Sequence, residues 1–574
     1  MTSVSHIHNA KSQSIDKFQR FENWLRENGA SFDMLELRVY ETGNDTEGAE
    51  EKKEPTSQEE SEMRGVYART HIPSDTLCMT IPRKCLVTVE MGQATPLGQK
   101  ILKSNLDLDA PKHIFLMIYI LWDRKVNGEN SFFHPYYEIL PRTLRNMPIF
   151  WSPDEYKLLE GSYLLSQIMD RNEAITEDYY AICQVAPELE DLCSLEEFKW
   201  ARMCVCSRNF GLQIDGHRTS ALVPHADMLN HYRPRETKWT FEEERQAFTI
   251  TTLQGISAGA QVYDSYGQKC NHRFLLNYGF AVEDNREMDG FCPNEVPIQL
   301  SVDPNDPLYS AKAKFWSRGE IDSFHAAVAG FSNPQSISAV IEATNNFIPD
   351  VQHGEGVAPI KCIRVCVSNN ENTRLLFSLL RTLACDEDEL RAITSSINDG
   401  AVSRALFGIT DQRTMAVNPA FYRSCRDIRH PISLRNEKAA MIHLLEIVSQ
   451  LLAQYPTNIA QDIEDLNDEV AFPRFTNRRH AKIQVRGEKE VLHHFALWAK
   501  TALRVLDIID SELKGVDQKS FETTISELEG EEERDSIHHT IVRYCEDVLG
   551  SLRREEWKNV RRRTGVKLPL DYNH

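Results

Sequence analysis

Ala226-Asp227-Met228-Leu229-Asn230-His231, with Tyr263-Asp264-Ser265-Tyr266-Gly267 placing Tyr266 35 residues after His231, is the stretch on which the reading of this chain turns. Asn230 can both donate and accept through one amide, although in a loop an Asn commonly serves as a turn former. Tyr266 carries a hydroxyl that stays neutral at pH 7, since its ordinary pKa is about 10. Upstream, Arg208 in Ser207-Arg208-Asn209-Phe210 offers a planar fork that suits a carboxylate, where the plainer reading is a surface ion pair. Asp227 reads as a loop-bracing carboxylate rather than a catalytic base. Each half of the pair is weak alone, and the order carries the weight.

The rest of the chain sets bounds. Its 574 residues are long for one domain, so two or three are expected. Hydrophobic residues at 41% and charged ones at 26% describe an ordinary globular composition. A net charge of −20 argues against nucleic-acid binding, which draws on Lys and Arg, and suits a basic protein substrate. The longest apolar run, Ile114 to Trp122, is far short of the roughly 20 residues of a membrane helix. Met1 to Gln19 has no apolar core for secretion and is short for a transit peptide before the first helix, so neither is expected. Thirteen cysteines lack paired spacing, so no metal is expected, and free thiols in the cytoplasm or nucleus are.

Phe18, Phe21, Trp24 and Leu25 recur at helical spacing and predict a short amphipathic helix over 16–28. Residues 41–62 carry nine acids against two lysines, a composition expected to form a disordered acidic loop. Arg64 to Ala68 and Leu77 to Pro82 are β-type runs separated by Gly and Pro signals, which suggests a hairpin. Residues from about 97 to 205 read as helical, and strands return at Ala247 to Leu253 and Gln261 to Tyr266. From about 305 the chain reads as helical again, with one face marked by Met441, Leu444, Leu445, Val448, Leu452 and Tyr455. The tail from Lys514 turns from acidic to basic, the mark of a solvated helix pair. A long helical insert between short strands does not fit a doubly wound sheet.

No GxxxxGK[ST] loop, GxSxG elbow, HExxH helix or strand-linked GxGxxG is present. What is present resembles SET-domain protein methyltransferases, in which two such segments cross as a pseudoknot. Glu62-Met63-Arg64-Gly65-Val66, Ser207-Arg208-Asn209-Phe210, Asn230-His231, Tyr266 and Asn277-Tyr278-Gly279-Phe280 stand in that family's order. Pro148 to Trp151 and Glu160-Gly161-Ser162 resemble the insert of the Rubisco large-subunit methyltransferase branch. Thr457-Asn458-Ile459 with Asp462, and Arg486 to Leu492, resemble its substrate-binding domain.

The resemblance implies an α+β fold. A SET catalytic domain over 16–304 would be followed by an all-α substrate-binding domain over 305–513 and a charged helical tail over 514–574. It implies S-adenosylmethionine as cofactor and S-adenosylhomocysteine as product, with Glu62, Met63, Arg64, Arg208, Asn230, His231 and Tyr266 around it. Tyr266 is the implied catalytic residue, and Arg208, Phe210, Ala226, Asp227 and Tyr278 line the acceptor side. Methyl transfer from a sulfonium is an in-line displacement, so orientation and a fitted channel matter more than acid–base chemistry. An acceptor lysine, ordinarily near 10.4, must lose a proton first, and an apolar channel beside a positive charge favours that loss.

Two positions bear on the acceptor. The related actin-histidine branch carries a polar residue where Phe210 stands and a bulky Trp where Ala226 stands. Phe and Ala leave an apolar slot suited to an extended lysine. The expectation is therefore a protein-lysine N-methyltransferase acting on a non-histone protein, as a monomer, away from nucleic acid and membrane. The alternatives are a protein-histidine methyltransferase and a silent SET scaffold that binds a partner through its helical half.

Overall fold

The computed structural model describes residues 17–40, 63–312, 361–368, 370–396, 431–516, 520–532 and 539–564. The acidic stretch 41–62, including Glu62, lies outside them. Contacts divide the chain into two units. The first takes the chain to Lys157, then Leu164–Gly290 and Phe475–His480; the second takes Leu158–Tyr163, Phe291–Arg474 and Ala481–His574.

The first unit opens with a helix over 17–27, one turn-face of which is apolar: Phe21 and Leu25 are fully buried, Phe18 and Trp24 nearly so. Among the described residues, ten strands follow in three small sheets. One is ordered β1 (Leu35–Tyr40), β2 (Met63–Ala68), β10 (Gln261–Asp264), β7 (Asn230–His231). A second is β3 (Leu77–Pro82), β9 (Ala247–Thr252), β8 (Thr237–Glu242), and the third is β4 (Val87–Thr88), β6 (His217–Leu222), β5 (Asn209–Ile214). The expected hairpin of 64–68 with 77–82 does not form. β2 pairs with β1 and β10 while β3 pairs with β9, and the chain between them makes an isolated bridge from Ile72 to Ile256. β5 and β6 are joined by Asp215-Gly216, both at positive φ (52° and 76°), the conformation that a tight two-residue hairpin needs.

The helical insert runs from Val89 to Arg208. Its helix Pro111–Val126 holds the longest apolar run, and Ile114 to Ile118, Ile120 and Leu121 are all buried, so the run is a core helix. No helix among the described residues is long and apolar enough to cross a membrane. The last helix, Leu195–Arg208, starts at a capping box in which Ser194 accepts the Glu197 N–H and Glu197 accepts from Ser194. It ends where β5 begins, which delivers Arg208 and Phe210 to the sheet edge.

The second unit is largely helical but is not purely so: β11 (Glu295–Leu300) pairs antiparallel with β12 (Lys361–Cys366). Its core is threaded by buried polar groups. Lys489 donates to Asp462 at 2.5 Å and to the Thr457 carbonyl at 2.7 Å, and Glu488 accepts from Ser162, Tyr455 and Gln484. The tail, read from sequence as a solvated pair, contributes to this core instead. Tyr544 is buried and donates to Glu437, which also takes both ends of the Arg381 fork at 2.7 and 2.8 Å. A tyrosine inside a charged run is an anchor that charge counting overlooks.

Candidate active site

β7 runs parallel to β10, with Asn230 opposite Tyr263 and His231 opposite Asp264. β10 also pairs antiparallel with β2. Two segments joined through the β8–β9 hairpin of another sheet thus lie side by side, and they place Asn230, His231 and Tyr266 together.

Tyr266 is held at both ends. Its backbone N–H donates to His231 Nδ1 at 3.0 Å, and its hydroxyl donates to the Leu229 carbonyl at 2.8 Å. Its ring stacks on Tyr278 at 4.8 Å and on the His231 ring at 5.2 Å, with Phe280 edge-on at 6.2 Å. Burial raises the pKa of both phenols, so both remain neutral at any working pH. Since Nδ1 of His231 accepts, its proton sits on Nε2. Burial, with Arg233 and Lys269 nearby, pulls this imidazole down to about 4. His231 is therefore a neutral brace.

Arg208 does not stand free. Its Nη1 donates to the Asp227 carbonyl at 3.1 Å and to Asp227 Oδ2 at 3.2 Å, and the Tyr136 hydroxyl donates to the same oxygen at 2.8 Å. Asp227's side chain is fully buried, so this is a satisfied, loop-bracing pair on one side. On the other side it is unsatisfied: Arg208 Nε and Asp227 Oδ1 are buried with no hydrogen-bond partner among the described residues. Two such orphans, one donor and one acceptor, fit a zwitterionic amino-acid ligand that carries an ammonium and a carboxylate. Asn230 donates its amide to the Arg64 carbonyl and to Gln261 Oε1, both at 2.7 Å. The side chain remains exposed. Arg64 itself donates to the Ile139 carbonyl and faces the Phe18 ring at 5.3 Å, so its guanidinium serves the fold while its backbone lines the site. Gly65 leaves room for the Asn230–Gln261 contact: a Cβ would stand 2.9 Å from Gln261 Oε1 and push the glutamine side chain aside.

Phe210 meets Trp239 edge-on at 5.3 Å and Phe248 at 5.1 Å. Ala226 is 2% exposed at the start of a tight turn, Ala226–Met228, that follows His225 at φ +76°. His225 is fully buried against the Phe32 ring at 4.2 Å, with Nε2 3.3 Å from Glu22. Met63, at the start of β2, and Arg64, Arg208, Phe210, Ala226, Asp227, Asn230, His231, Tyr266 and Tyr278 all lie in the first unit; Arg208 meets Asp227, Asn230 meets Arg64, and His231, Tyr266 and Tyr278 stack, whereas Phe210 packs on Trp239 and Phe248. Sequence reading missed Tyr136, Gln261 and His225. Only Gln261, on the alternating strand before Tyr266, had a local signal; Tyr136 lies 91 residues from its partner.

The Rubisco LSMT substrate-binding family model matches residues 303–492. Actin-histidine N-methyltransferases of Rhinolophus ferrumequinum and Homo sapiens are each 26% identical, over 488 and 489 residues, covering 83% of this chain and 67% of the relative. Among solved structures, the SET domain of LSMT bound to lysine and AdoHcy aligns with a TM-score of 0.56 at 19% identity, over 86% of this chain and 92% of that one. Rubisco LSMT bound to AdoMet aligns at 0.57 and 18% identity, over 86% and 93%. The fold is that of a SET domain carrying a helical insert and followed by a helical domain of the Rubisco LSMT substrate-binding kind.

Proposed function

We propose that this chain is an S-adenosylmethionine-dependent methyltransferase that modifies a side-chain nitrogen of a protein. The observation that carries the reading is the clamping of Tyr266 between His231 and the Leu229 carbonyl, at the crossing of the two segments. The AdoMet- and AdoHcy-bound structures of the same fold support it, as do relatives named as methyltransferases. When bound, the cofactor supplies an activated methyl group. Arg208, Asp227 and Asn230, with the backbone at Arg64 and His231, would hold its amino-acid and adenine ends. Tyr266 and Tyr278 form a neutral aromatic wall that orients the acceptor and keeps water away from it, so that a deprotonated amine is favoured.

Two acceptors are in contention. We take lysine first, because Phe210, packed on Trp239 and Phe248, and the buried Ala226 are apolar side chains that themselves offer an imidazole no hydrogen bond. The comparisons favour histidine more directly, since the relatives above are named as actin-histidine enzymes. Cell extract incubated with the purified chain and labelled cofactor, followed by mass spectrometry of the labelled peptide, decides it. Methyl-lysine alone supports the first reading, methyl-histidine alone the second, and no labelled protein would sink both. A cytosolic or nuclear setting rests on cysteine usage, the substrate being some protein with an accessible side chain.

A further inference from the structure

The aromatic wall around Tyr266 ends at Phe280, which packs on Phe274 at 5.2 Å and faces His231, Tyr266 and Tyr278 at 6.1 to 6.2 Å. Each of the next three residues is held by a different side chain. Ala281 donates its N–H to Nδ1 of His480 at 3.2 Å. Val282 is clamped by Asn271, which accepts its N–H at 2.8 Å and donates to its carbonyl at 2.9 Å. Glu283 accepts from Arg479 at 2.7 Å.

Asn271 is local, on the helix that leads to Tyr278. His480 comes from 199 residues beyond Ala281, within Phe475–His480, which packs with the first unit. That strap has its own anchor: Asn477 donates to the Arg145 carbonyl at 2.9 Å and to Glu155 at 2.7 Å. His480 and Ala281 are both buried, at 9% and 7% exposure. An amide N–H this far from water needs a protein acceptor, and only a neutral imidazole protonated on Nε2 provides one at Nδ1. Burial, with the adjacent Arg479 cation, keeps the ring neutral by lowering its pKa to about 4.

We propose that His480 is a positioning residue for methyl transfer: by accepting the Ala281 N–H it fixes Phe280, and through Phe280 the stack of Tyr278 on Tyr266. The proposal rests on the methyltransferase reading of the site. Without the acceptor, the buried N–H must move outward to reach water, and it drags Phe280 with it. A displacement of about 1 Å next to reacting groups can cost up to about 100-fold in rate.

The test uses the full chain with His480→Leu, which removes the acceptor, and His480→Asn, whose side-chain oxygen can replace Nδ1. For the Leu variant the expected result is a kcat about tenfold lower, with KM and cofactor Kd within about twofold of wild type. Hydrogen exchange at the Ala281 amide should accelerate in the same variant, and His480→Asn should restore both readouts. A Leu variant with unchanged exchange and kcat, or an Asn variant as impaired as Leu, would overturn the proposal. Should the Leu variant not fold, Asn477→Ala loosens the strap without touching the buried ring. It should raise exchange at Ala281 and lower kcat to a smaller degree, and no change in either would be equally fatal. Exchange is read without methyl transfer, so an inactive wild type would overturn the enzyme reading alone.

Discussion

Nδ1 of His231 accepts the backbone N–H of Tyr266 at 3.0 Å, so a residue from one crossing segment sets the height of the other. The bond exists only while the imidazole is neutral. Burial, with Arg233 and Lys269 nearby, lowers its pKa to about 4 from an ordinary 6.5. The unfolded chain binds a proton below pH 6.5 that the folded chain refuses until about 4, so stability falls as pH drops across that window. His231→Asn keeps an acceptor but does not titrate. Melting temperatures taken from pH 7 to 4.5 should therefore show wild type above the variant at neutrality and the gap closing on acidification. A gap that stays constant would mean that His231 does not carry the proton linkage.

Tyr266→Phe keeps the stack on Tyr278 and loses the hydroxyl bond to the Leu229 carbonyl. Turnover should fall by about 100-fold, because orientation at the transfer point is lost. Cofactor affinity, which on the proposed reading rests chiefly on Arg208, Asp227 and Asn230, should change by less than about threefold. Initial rates and calorimetry separate the two, and near-normal turnover would remove Tyr266 from the reaction.

The Arg208–Asp227–Tyr136 cluster predicts an order of damage. Tyr136→Phe takes one neutral donor from a buried carboxylate and should cost about 1–2 kcal/mol. Asp227→Asn leaves Arg208 without its counter-charge and should cost about 3–5 kcal/mol. Urea denaturation of the two variants checks the order, and a Tyr136→Phe that is the more harmful would mean that the hydroxyl, not the ion pair, organises the loop.

How much of this was legible in the chain depends on the distance over which each feature is decided. Asn230, His231 and Tyr266 stand in a fixed order that resembles one fold, and the structure brings them together by pairing β7 with β10. The helix at 17–27 was legible because its apolar face repeats within a few residues. The pairing partner of β2 was not, because β-type runs say that a strand forms but not which edge it will meet. Tyr136 and His480 were invisible for the same reason: each makes one bond to a residue about a hundred or two hundred positions away. The Asp215-Gly216 turn was legible by its residues and passed unread, although it fixes the register of β5 and so the place of Phe210.

Phe210 and Ala226 should decide the acceptor. Phe210 lies against Trp239 and Phe248, so Phe210→Asn trades aromatic contact for an amide that can hydrogen-bond an imidazole nitrogen. Ala226 is almost fully buried, so Ala226→Trp must push its neighbours to fit, at about 1–3 kcal/mol of stability. On the proposed lysine reading, the single Trp variant should lose lysine methylation and some thermal stability together, while Phe210→Asn alone loses activity with less harm to the fold. Combined, they introduce both an obstruction to the four-methylene stem and a new partner for an imidazole, the two ingredients of a specificity switch. The double variant is expected to lose methyl-lysine formation on the wild-type substrate and to gain weak transfer to a histidine-bearing peptide of the same sequence. Peptide mass spectrometry reads both products. A double variant that still methylates lysine at the wild-type rate would show that neither residue borders the acceptor.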